Sequence, residues 1–163
     1  MIAVSNTTPL RYLIAIQQDQ LLGRIFETVL VPRAVRQELT DRRTPEDVRR
    51  WILSPPGWIE VRDAPESGED FATQLHAGER ESILLAEAVR ADVLLVDEQA
   101  GRRIAMERKL PVSGTLGVLE RADAVGLVRN FAEILRRLQE SGFYLSEPLK
   151  EILMERHRAR RSA

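Results

Sequence analysis

The chain has 163 residues, of which 44% are hydrophobic and 30% charged, the composition of an ordinary soluble protein. Its 24 basic and 25 acidic residues nearly cancel, so net charge favours no class of partner. The absence of cysteine excludes disulfides and thiolate zinc sites and suits a reducing compartment. No apolar run approaches the ~20 residues that cross a bilayer, and residues 1–4 lack the basic segment of an export signal. We therefore expect a cytoplasmic protein with no membrane partner.

Short apolar runs alternate with helical patterns along most of the chain. The runs predict strands at residues 2–5, 28–31, 58–61, 93–96 and near 111–112. Helical spacing and helix-start residues predict helices that begin near residues 7, 21, 32, 45, 79, 100 and 115. This alternation predicts an α/β fold: a three-layer sandwich whose mainly parallel central sheet is flanked by helices.

The length predicts a single domain over residues 1–163, and its last third has helical patterns without strands. We expect a C-terminal helical element over about 128–158, interrupted at Gly142, and a basic tail over 156–163 that frays in solvent. The most polar stretch, residues 63–69, predicts a mobile loop.

Polar side chains follow two of the predicted strands. Asn6 follows the first strand, and Asp97 follows the buried run at 93–96. The carboxyl ends of parallel strands form the edge at which α/β proteins bind ligands, so both side chains are expected at one rim. Each could instead be only the N-cap of the helix that follows it.

Two helices place a carboxylate at an apolar position, Glu38 on one and Glu81 on the other. At helical spacing the two stripes are Val31, Ala34, Val35, Glu38 and Glu81, Leu84, Leu85, Ala88. Glu38 could also lean out to solvent near its helix end. Glu79 lies at the margin between the apolar stripe and the solvent-facing stripe of the same helix. For Glu79 we favour the role of a first-turn acid that complements the helix dipole, and this role stays open for Glu81 as well.

Carboxylates resist burial on their own because desolvating a charge is expensive. A cluster of Asp, Glu and Asn oxygens is stable mainly around a hard cation such as Mg²⁺ or Mn²⁺. Such an ion can activate water and screen the charge of a phosphate. We therefore predict that Asn6, Glu38, Glu81 and Asp97 converge on a metal site at the rim.

These residues lie in segments that resemble the PIN-domain proteins over nearly the whole chain. The matching segments include 4–10 (Val-Ser-Asn-Thr-Thr-Pro-Leu), 31–39, 78–83 (Gly-Glu-Arg-Glu-Ser-Ile), 95–98 (Leu-Val-Asp-Glu), 101–105, 114–119 and 142–147. The resemblance is greatest to a small branch of the family that is similar to VapC toxins. It implies a Mg²⁺- or Mn²⁺-dependent ribonuclease with a toxin–antitoxin role, an antitoxin partner that covers the site, and a homodimer.

The resemblance also assigns site residues. The first acid of the family falls on Asn6, the second on Glu38, the third on Glu81 or Glu79, and the fourth on Asp97 or Glu98. Two hydroxyl residues would support the site, Thr7 and Thr115.

Asn6 departs from the pattern of the broader family, which has Asp at this position, although Asn is familiar here within the small branch. An amide oxygen can still bind a cation, but it contributes no charge. Three carboxylates in place of four should weaken metal binding, above all for a second ion. We therefore expect one metal or none in the resting protein, and low nuclease activity.

Basic residues close to these positions in sequence are candidate phosphate contacts, because neutralising the backbone dominates nucleic-acid affinity. They are Arg11 after Asn6, and Arg102, Arg103, Arg108 and Lys109 after Asp97. The alternative is that these basic residues only form the solvent-exposed face of a helix. His76 is a lone loop histidine with at most a proton-shuttle role.

The main functional hypothesis is a metal-dependent endoribonuclease of toxin type that hydrolyses RNA. The alternative is a non-catalytic PIN-like module that binds RNA or protein after losing an acid. A phosphoacceptor receiver domain is a weaker third possibility, because no Lys follows the predicted strand near residues 112–115, where a receiver needs one.

Overall fold

The structure is a computed structural model that describes residues 1–68 and 75–162. Its strands are β1 Ile2–Ser5, β2 Thr28–Pro32, β3 Ile59–Arg62, β4 Val93–Leu95 and β5 Val112–Ser113. Its helices are α1 Thr7–Ala15, α2 Gln20–Ile25, α3 Arg33–Leu39, α4 Glu46–Leu53, α5 Ala77–Val89, α6 Gln99–Glu107, α7 Thr115–Ala124, α8 Phe131–Glu140 and α9 Glu147–Ser162. The predicted strands and the predicted helix starts up to residue 115 agree with these bounds to within about two residues, the ordinary uncertainty of element ends.

The strands form one sheet in the order β3-β2-β1-β4-β5, and every neighbouring pair is parallel. The central strand β1 pairs through Val4 with Leu30 of β2 and Leu94 of β4. The strand predicted at 58–61 is an edge strand of the sheet. The prediction of a three-layer α/β sandwich with a parallel sheet is confirmed.

Successive residues of β1 enter different cores, because side chains alternate between the two faces of a strand. Ala3 belongs to a larger core cluster with residues of α1, α2, α7, α8 and α9, whereas Val4 belongs to a smaller cluster with residues of α5 and α6. Helices therefore cover both faces of the sheet. This arrangement explains why the strands read as short, continuous apolar runs.

The structure corrects the expectation that the basic tail frays. Helix α9 continues to Ser162, and three of its side chains converge on the buried carboxylate of Asp123. His157 Nδ1 and Arg160 Nε each lie 2.9 Å from Asp123 Oδ2, and Arg161 Nη2 lies 3.4 Å from Oδ1. The tail is therefore held on α7 by charge pairing that periodicity does not reveal.

The predicted polar loop has no helix or strand in residues 63–68, whereas Glu69 lies outside the described residues, as does Ala163 of the predicted tail. Within residues 1–68 and 75–162, no helix has the length and apolar character that crossing a membrane requires.

The contacts of Asp123 predict a change in stability. Burial alone would raise the pKa of Asp123, but the hydrogen bonds from His157 and Arg160 outweigh it and hold the pKa below its usual value. Asp123→Asn should lower the free energy of unfolding at pH 7 by about 2 kcal/mol, less than for a fully buried pair because the arginines are partly exposed. Urea unfolding measures this change.

The way in which the contribution of Asp123 to the free energy of unfolding changes with pH follows from its lowered pKa. The contribution of Asp123 is complete above the ordinary Asp pKa of about 3.9 and is lost as the pH falls through the lower folded-state value. The difference between the two proteins should therefore shrink below about pH 4. Glu120→Gln is the matched control, since Glu120 pairs with Arg156 and Arg160 nearer the surface. Equal losses in the two variants at pH 7 would contradict a special role for Asp123.

Candidate acidic site

Asn6 lies at the centre of the rim formed by the carboxyl ends of the strands. Its backbone N–H donates to Leu95 O at 2.9 Å, and its side chain is fully buried. Asn6 is the N-cap residue of α1, yet its side chain makes no capping hydrogen bond. Instead Nδ2 donates to Glu98 Oε2 at 3.3 Å, and Oδ1 is buried without a partner among the described residues. The capping alternative therefore does not account for the Asn6 side chain.

Two threonines on the first turn of α1 hold two glutamates beside Asn6. Thr7 donates its hydroxyl to Glu38 Oε2, and Thr8 donates to Glu98 Oε1. Glu38 comes from α3, and Glu98 is the residue just before α6. Sequence reasoning included Thr7 but missed Thr8, although the adjacent Thr-Thr pair at a helix start is a visible signal for two such donors.

Glu79 is the most buried carboxylate of the group, with its side chain 6% exposed. Its Oε1 lies 2.8 Å from His76 Nε2, and its Oε2 is buried without a partner among the described residues. Burial raises the pKa of Glu79, and the nearby charges of Glu98 and Glu38 add to the rise, whereas His76 opposes it. An unpaired oxygen in this position is suited to a cation.

His76 lies between two of these acids. Its Nδ1 is 3.3 Å from Glu38 Oε1, so the imidazole joins Glu38 to Glu79. With a lone loop histidine, the sequence gives no spacing that indicates such a bridge. The bridge depends on α3 and α5 packing side by side.

The two acids of α5 have different surroundings in the structure. The stripe predicted to be buried contains Ala88, which is exposed, and the buried face instead carries Glu79, Ser82, Ile83 and Ala86. Glu81 accepts a hydrogen bond from the Ala34 backbone N–H, at 3.2 Å. Glu81 thus complements the start of α3, and Glu79 faces the rim.

Asp97 occupies a separate part of the rim, at the start of α7. Its Oδ1 accepts from the Thr115 backbone N–H at 2.8 Å, and its Oδ2 accepts from the Thr115 hydroxyl at 2.6 Å. Burial raises the pKa of Asp97 although Thr115 opposes the rise, and the charge of Glu98 adds to it. Thr115, expected from the sequence only as a supporting hydroxyl residue, therefore binds both oxygens of Asp97.

Small residues leave room for these carboxylates. A Cβ on Gly78 would lie 2.5 Å from Glu38 Oε1, and one on Gly101 would lie 2.8 Å from Glu79 Oε2. A Cβ on Gly114 would lie 2.5 Å from Asp97 Oδ1. Each glycine thus sits at the place where the backbone approaches an acid too closely for a larger residue. Sequence reasoning recorded these glycines in the motifs but gave them no role.

The oxygen atoms around Asn6 are of the chemical type that binds a hard cation. Asn6 Oδ1 and Glu79 Oε2 are buried acceptors without partners among the described residues, and carboxylate and amide oxygens are the ligands that Mg²⁺ and Mn²⁺ prefer. The described residues nonetheless contain no group of three His, Cys, Asp or Glu side chains that is ready to hold a metal ion. The site is thus a set of suitable donors, without a closed coordination shell.

The predicted basic residues lie in different places. Arg11 is exposed on α1 and borders two hollows that adjoin Glu98 and Glu38. Arg102 donates to Val96 O at 3.0 Å and lines a hollow with Asp97. Arg103 pairs with Glu107 along the exposed side of α6.

The structure corrects the placement of Lys109 and of its neighbour Arg108. Both follow the last turn of α6, which in a parallel crossover runs from the rim to the opposite end of the sheet. Arg108 there pairs with Glu87, its Nε 2.6 Å from Oε1. Neither residue is at the Asp97 rim.

A parallel sheet flanked by helices, with acids gathered at the carboxyl ends of its strands, has the architecture of a PIN-like α/β sandwich. The chain belongs to the PIN-domain family, whose model matches residues 2–158. PIN domains are in general nucleases and typically use Mg²⁺ or Mn²⁺. No curated protein matches the chain.

The raised pKa of Glu79 predicts that its charge costs stability in the metal-free protein. Glu79→Gln should raise the free energy of unfolding at pH 7.5 in EDTA by on the order of 1 kcal/mol. Because the folded-state pKa is above the unfolded one, this gain should vanish as the pH falls below about 4, where both states are protonated. Chemical denaturation at several pH values measures it.

The control for this prediction is Glu81→Gln, which removes the same charge from the same helix and so weakens the hydrogen bond that the Ala34 backbone N–H donates at position 81. We expect this variant to be no more stable than the parent at pH 7.5. A Glu79→Gln variant that is less stable than the parent in EDTA at that pH would contradict the prediction.

Proposed function

We propose that the chain is a metal-dependent endoribonuclease that hydrolyses RNA phosphodiesters and acts as a VapC-like toxin in a toxin–antitoxin pair. One observation carries the proposal. Buried oxygens of Asn6 and Glu79 have no partner among the described residues, inside a group of acids at the carboxyl ends of the strands. Leaving charged or polar oxygens in this state costs free energy, and a bound cation would remove that cost.

Four side chains would hold the ion: Asn6, Glu38, Glu79 and Glu98. When bound, Mg²⁺ or Mn²⁺ supplies a water of lowered pKa and screens the charge of the phosphate. Thr7 and Thr8 orient two of the carboxylates by hydrogen bonds, and His76 restrains Glu38 and Glu79. We place Glu81 outside this set because its carboxylate serves the start of α3.

Asp97 would act beside this group, as a ligand or a general base. Thr115 fixes both of its oxygens, and burial raises its pKa, which favours the proton uptake that a base needs. RNA would approach over the two hollows that contain Arg11 and Arg102, whose charges can contact phosphates.

The toxin role, the antitoxin that covers the site and the homodimer rest on the resemblance to small VapC-like PIN proteins. They are part of the proposal because inhibition by a partner is the simplest control of a ribonuclease whose acids face a rim. An Asn at the first position is consistent with low activity in the resting protein.

A non-catalytic module that binds RNA or protein is the second candidate. It is favoured by Asn6, which supplies no charge where the family has an acid, and by the lack of a ready-made metal group among the described residues. Such a module would bind RNA without cutting it.

A cleavage assay on unstructured RNA separates the two candidates. We expect cleavage that requires Mn²⁺ or Mg²⁺ and stops when EDTA is added. In Glu79→Gln and in Asp97→Asn the cleavage rate should fall by more than ~10–100-fold, which is the loss expected when only an outer-shell group is removed. Glu81→Gln should stay within a few-fold of the parent. RNA binding without metal-dependent cleavage would favour the binding module. Cleavage that Glu79→Gln leaves unchanged would contradict the assignment of the site.

The charge at position 6 gives a further prediction. Asn6→Asp adds a fourth carboxylate at a fully buried position, so it should bind Mn²⁺ at least about tenfold more tightly, the equivalent of about 1.4 kcal/mol. Calorimetric titration of Mn²⁺ into both proteins measures the difference. Ser5→Ala, which alters a neighbouring buried polar residue without changing charge, is the control. Equal affinities in the parent and Asn6→Asp would refute the hypothesis that Asn6 weakens the metal site.

A further inference from the structure

A cavity of about 410 Å³ lies between α1 and α4. One face of α1 forms a wall of it through residues at helical spacing, and α4 with the residue before it forms another. The lining side chains are Thr8, Arg11, Tyr12, Ala15, Pro45, Asp47, Val48, Glu98 and Ser141. Its volume lies within the range of small-molecule sites.

The cavity opens onto the acidic group. Thr8 and Glu98, which are hydrogen-bonded to each other, belong both to its lining and to the surroundings of Asn6. A ligand that fills the cavity would therefore reach Glu98 from the side of α1. An RNA strand that crosses the rim would place in this cavity the nucleotide next to the cleaved phosphodiester bond.

Arg11 supplies the positive charge of the cavity. It is exposed, and within residues 1–68 and 75–162 its guanidinium has no hydrogen-bond or ion-pair partner. It also borders a second hollow that contains Glu38 and Arg43, so it stands between two openings beside the acids. A free arginine at this place is suited to a phosphate group.

The apolar wall is suited to a flat ring. Tyr12 is half-buried, and its ring meets Phe143 edge-on, with centroids 5.0 Å apart and an interplanar angle of 82°. Val48 and Pro45 lie on the opposing element. Unpaired bases in single-stranded RNA stack on aromatic side chains held in this way.

Asp47 supplies a carboxylate to the α4 side of the cavity. Its Oδ1 accepts from the Val48 backbone N–H at 2.9 Å, whereas its Oδ2 has no partner in the described part of the chain. An ionised carboxylate only accepts hydrogen bonds. Guanine is the base whose Watson–Crick edge offers two adjacent N–H donors, N1–H and the 2-amino group.

We propose that this cavity binds one guanosine nucleotide of single-stranded RNA, with the base against Tyr12, its Watson–Crick edge on Asp47 and a phosphate on Arg11. That this nucleotide neighbours the cleaved bond rests on the proposed function. The binding of the nucleotide itself does not, because the side chains that would contact it, Arg11, Tyr12 and Asp47, are not among the proposed ligands of the ion.

The test measures binding of four nucleoside 5′-monophosphates, and of inosine 5′-monophosphate, to the full chain in EDTA by calorimetry. We expect guanosine monophosphate to bind about tenfold more tightly than the adenosine, cytidine and uridine forms, as one good pair of hydrogen bonds gives. Inosine lacks the 2-amino group and should lose most of this preference. Equal binding of all five, or no binding, would overturn the proposal.

Variants assign the contacts. Asp47→Asn should abolish the preference for guanosine, and Arg11→Met should weaken all four nucleotides about tenfold through loss of a charged hydrogen bond. Glu46→Gln removes a charge from the same helix turn, and Arg24→Met removes an exposed arginine of α2, so both should bind as the parent does. A guanosine preference that survives in Asp47→Asn would overturn the assignment.

The two proposals fail separately. Metal-dependent RNA cleavage without any nucleotide preference in EDTA would leave the proposed function standing and overturn the cavity. Preferential binding of guanosine monophosphate without cleavage would support the cavity and contradict the nuclease.

Discussion

The parallel pairing of β1 with β4 sets the position of every group at the rim. The hydrogen bond from Asn6 N–H to Leu95 O closes this pairing at its carboxyl end and brings Asn6 beside Glu98, 92 residues later in the chain. Helix α1 then starts at once, so Thr7 and Thr8 come to lie against acids from α3 and from the start of α6. A shift of register by one residue would send these side chains to the other face of the sheet.

The cost of this arrangement falls on Glu79. Its carboxylate is almost fully buried with only one oxygen partnered, and Glu38 and Glu98 add their charges nearby. The protein offsets part of the cost with His76 and with space left by Gly101. Proteins keep such unfavourable groups mainly where function requires them, which is the physical basis of our proposal. The same reasoning gives no special role to Glu81, whose charge meets a helix start.

The opposite end of the molecule shows how the same chemistry serves stability. Asp123 is as deeply buried as Glu79, but three basic side chains of α9 surround it, and its pKa falls where that of Glu79 rises. Asp123 is thus a buried carboxylate whose charge is balanced by its partners, whereas the charge of Glu79 is not balanced. The chain has 24 basic and 25 acidic residues, but they are not paired evenly. Three basic side chains contact Asp123, whereas one oxygen of Glu79 has no partner among the described residues.

The sequence by itself determined the order of strands and helices and the placement of Asn6 and Asp97 at strand ends, because apolar runs and helical spacing are local properties. It also indicated Glu38 and Thr115, through a helical stripe and a motif. Only the tertiary structure buried Glu79, set Glu81 against the start of α3, joined His76 to two acids, brought Thr8 to Glu98, and fixed the basic tail on Asp123. These contacts join residues far apart in the chain, and the packing of α3, α5 and α9 that creates them depends on side-chain fit that no local pattern encodes.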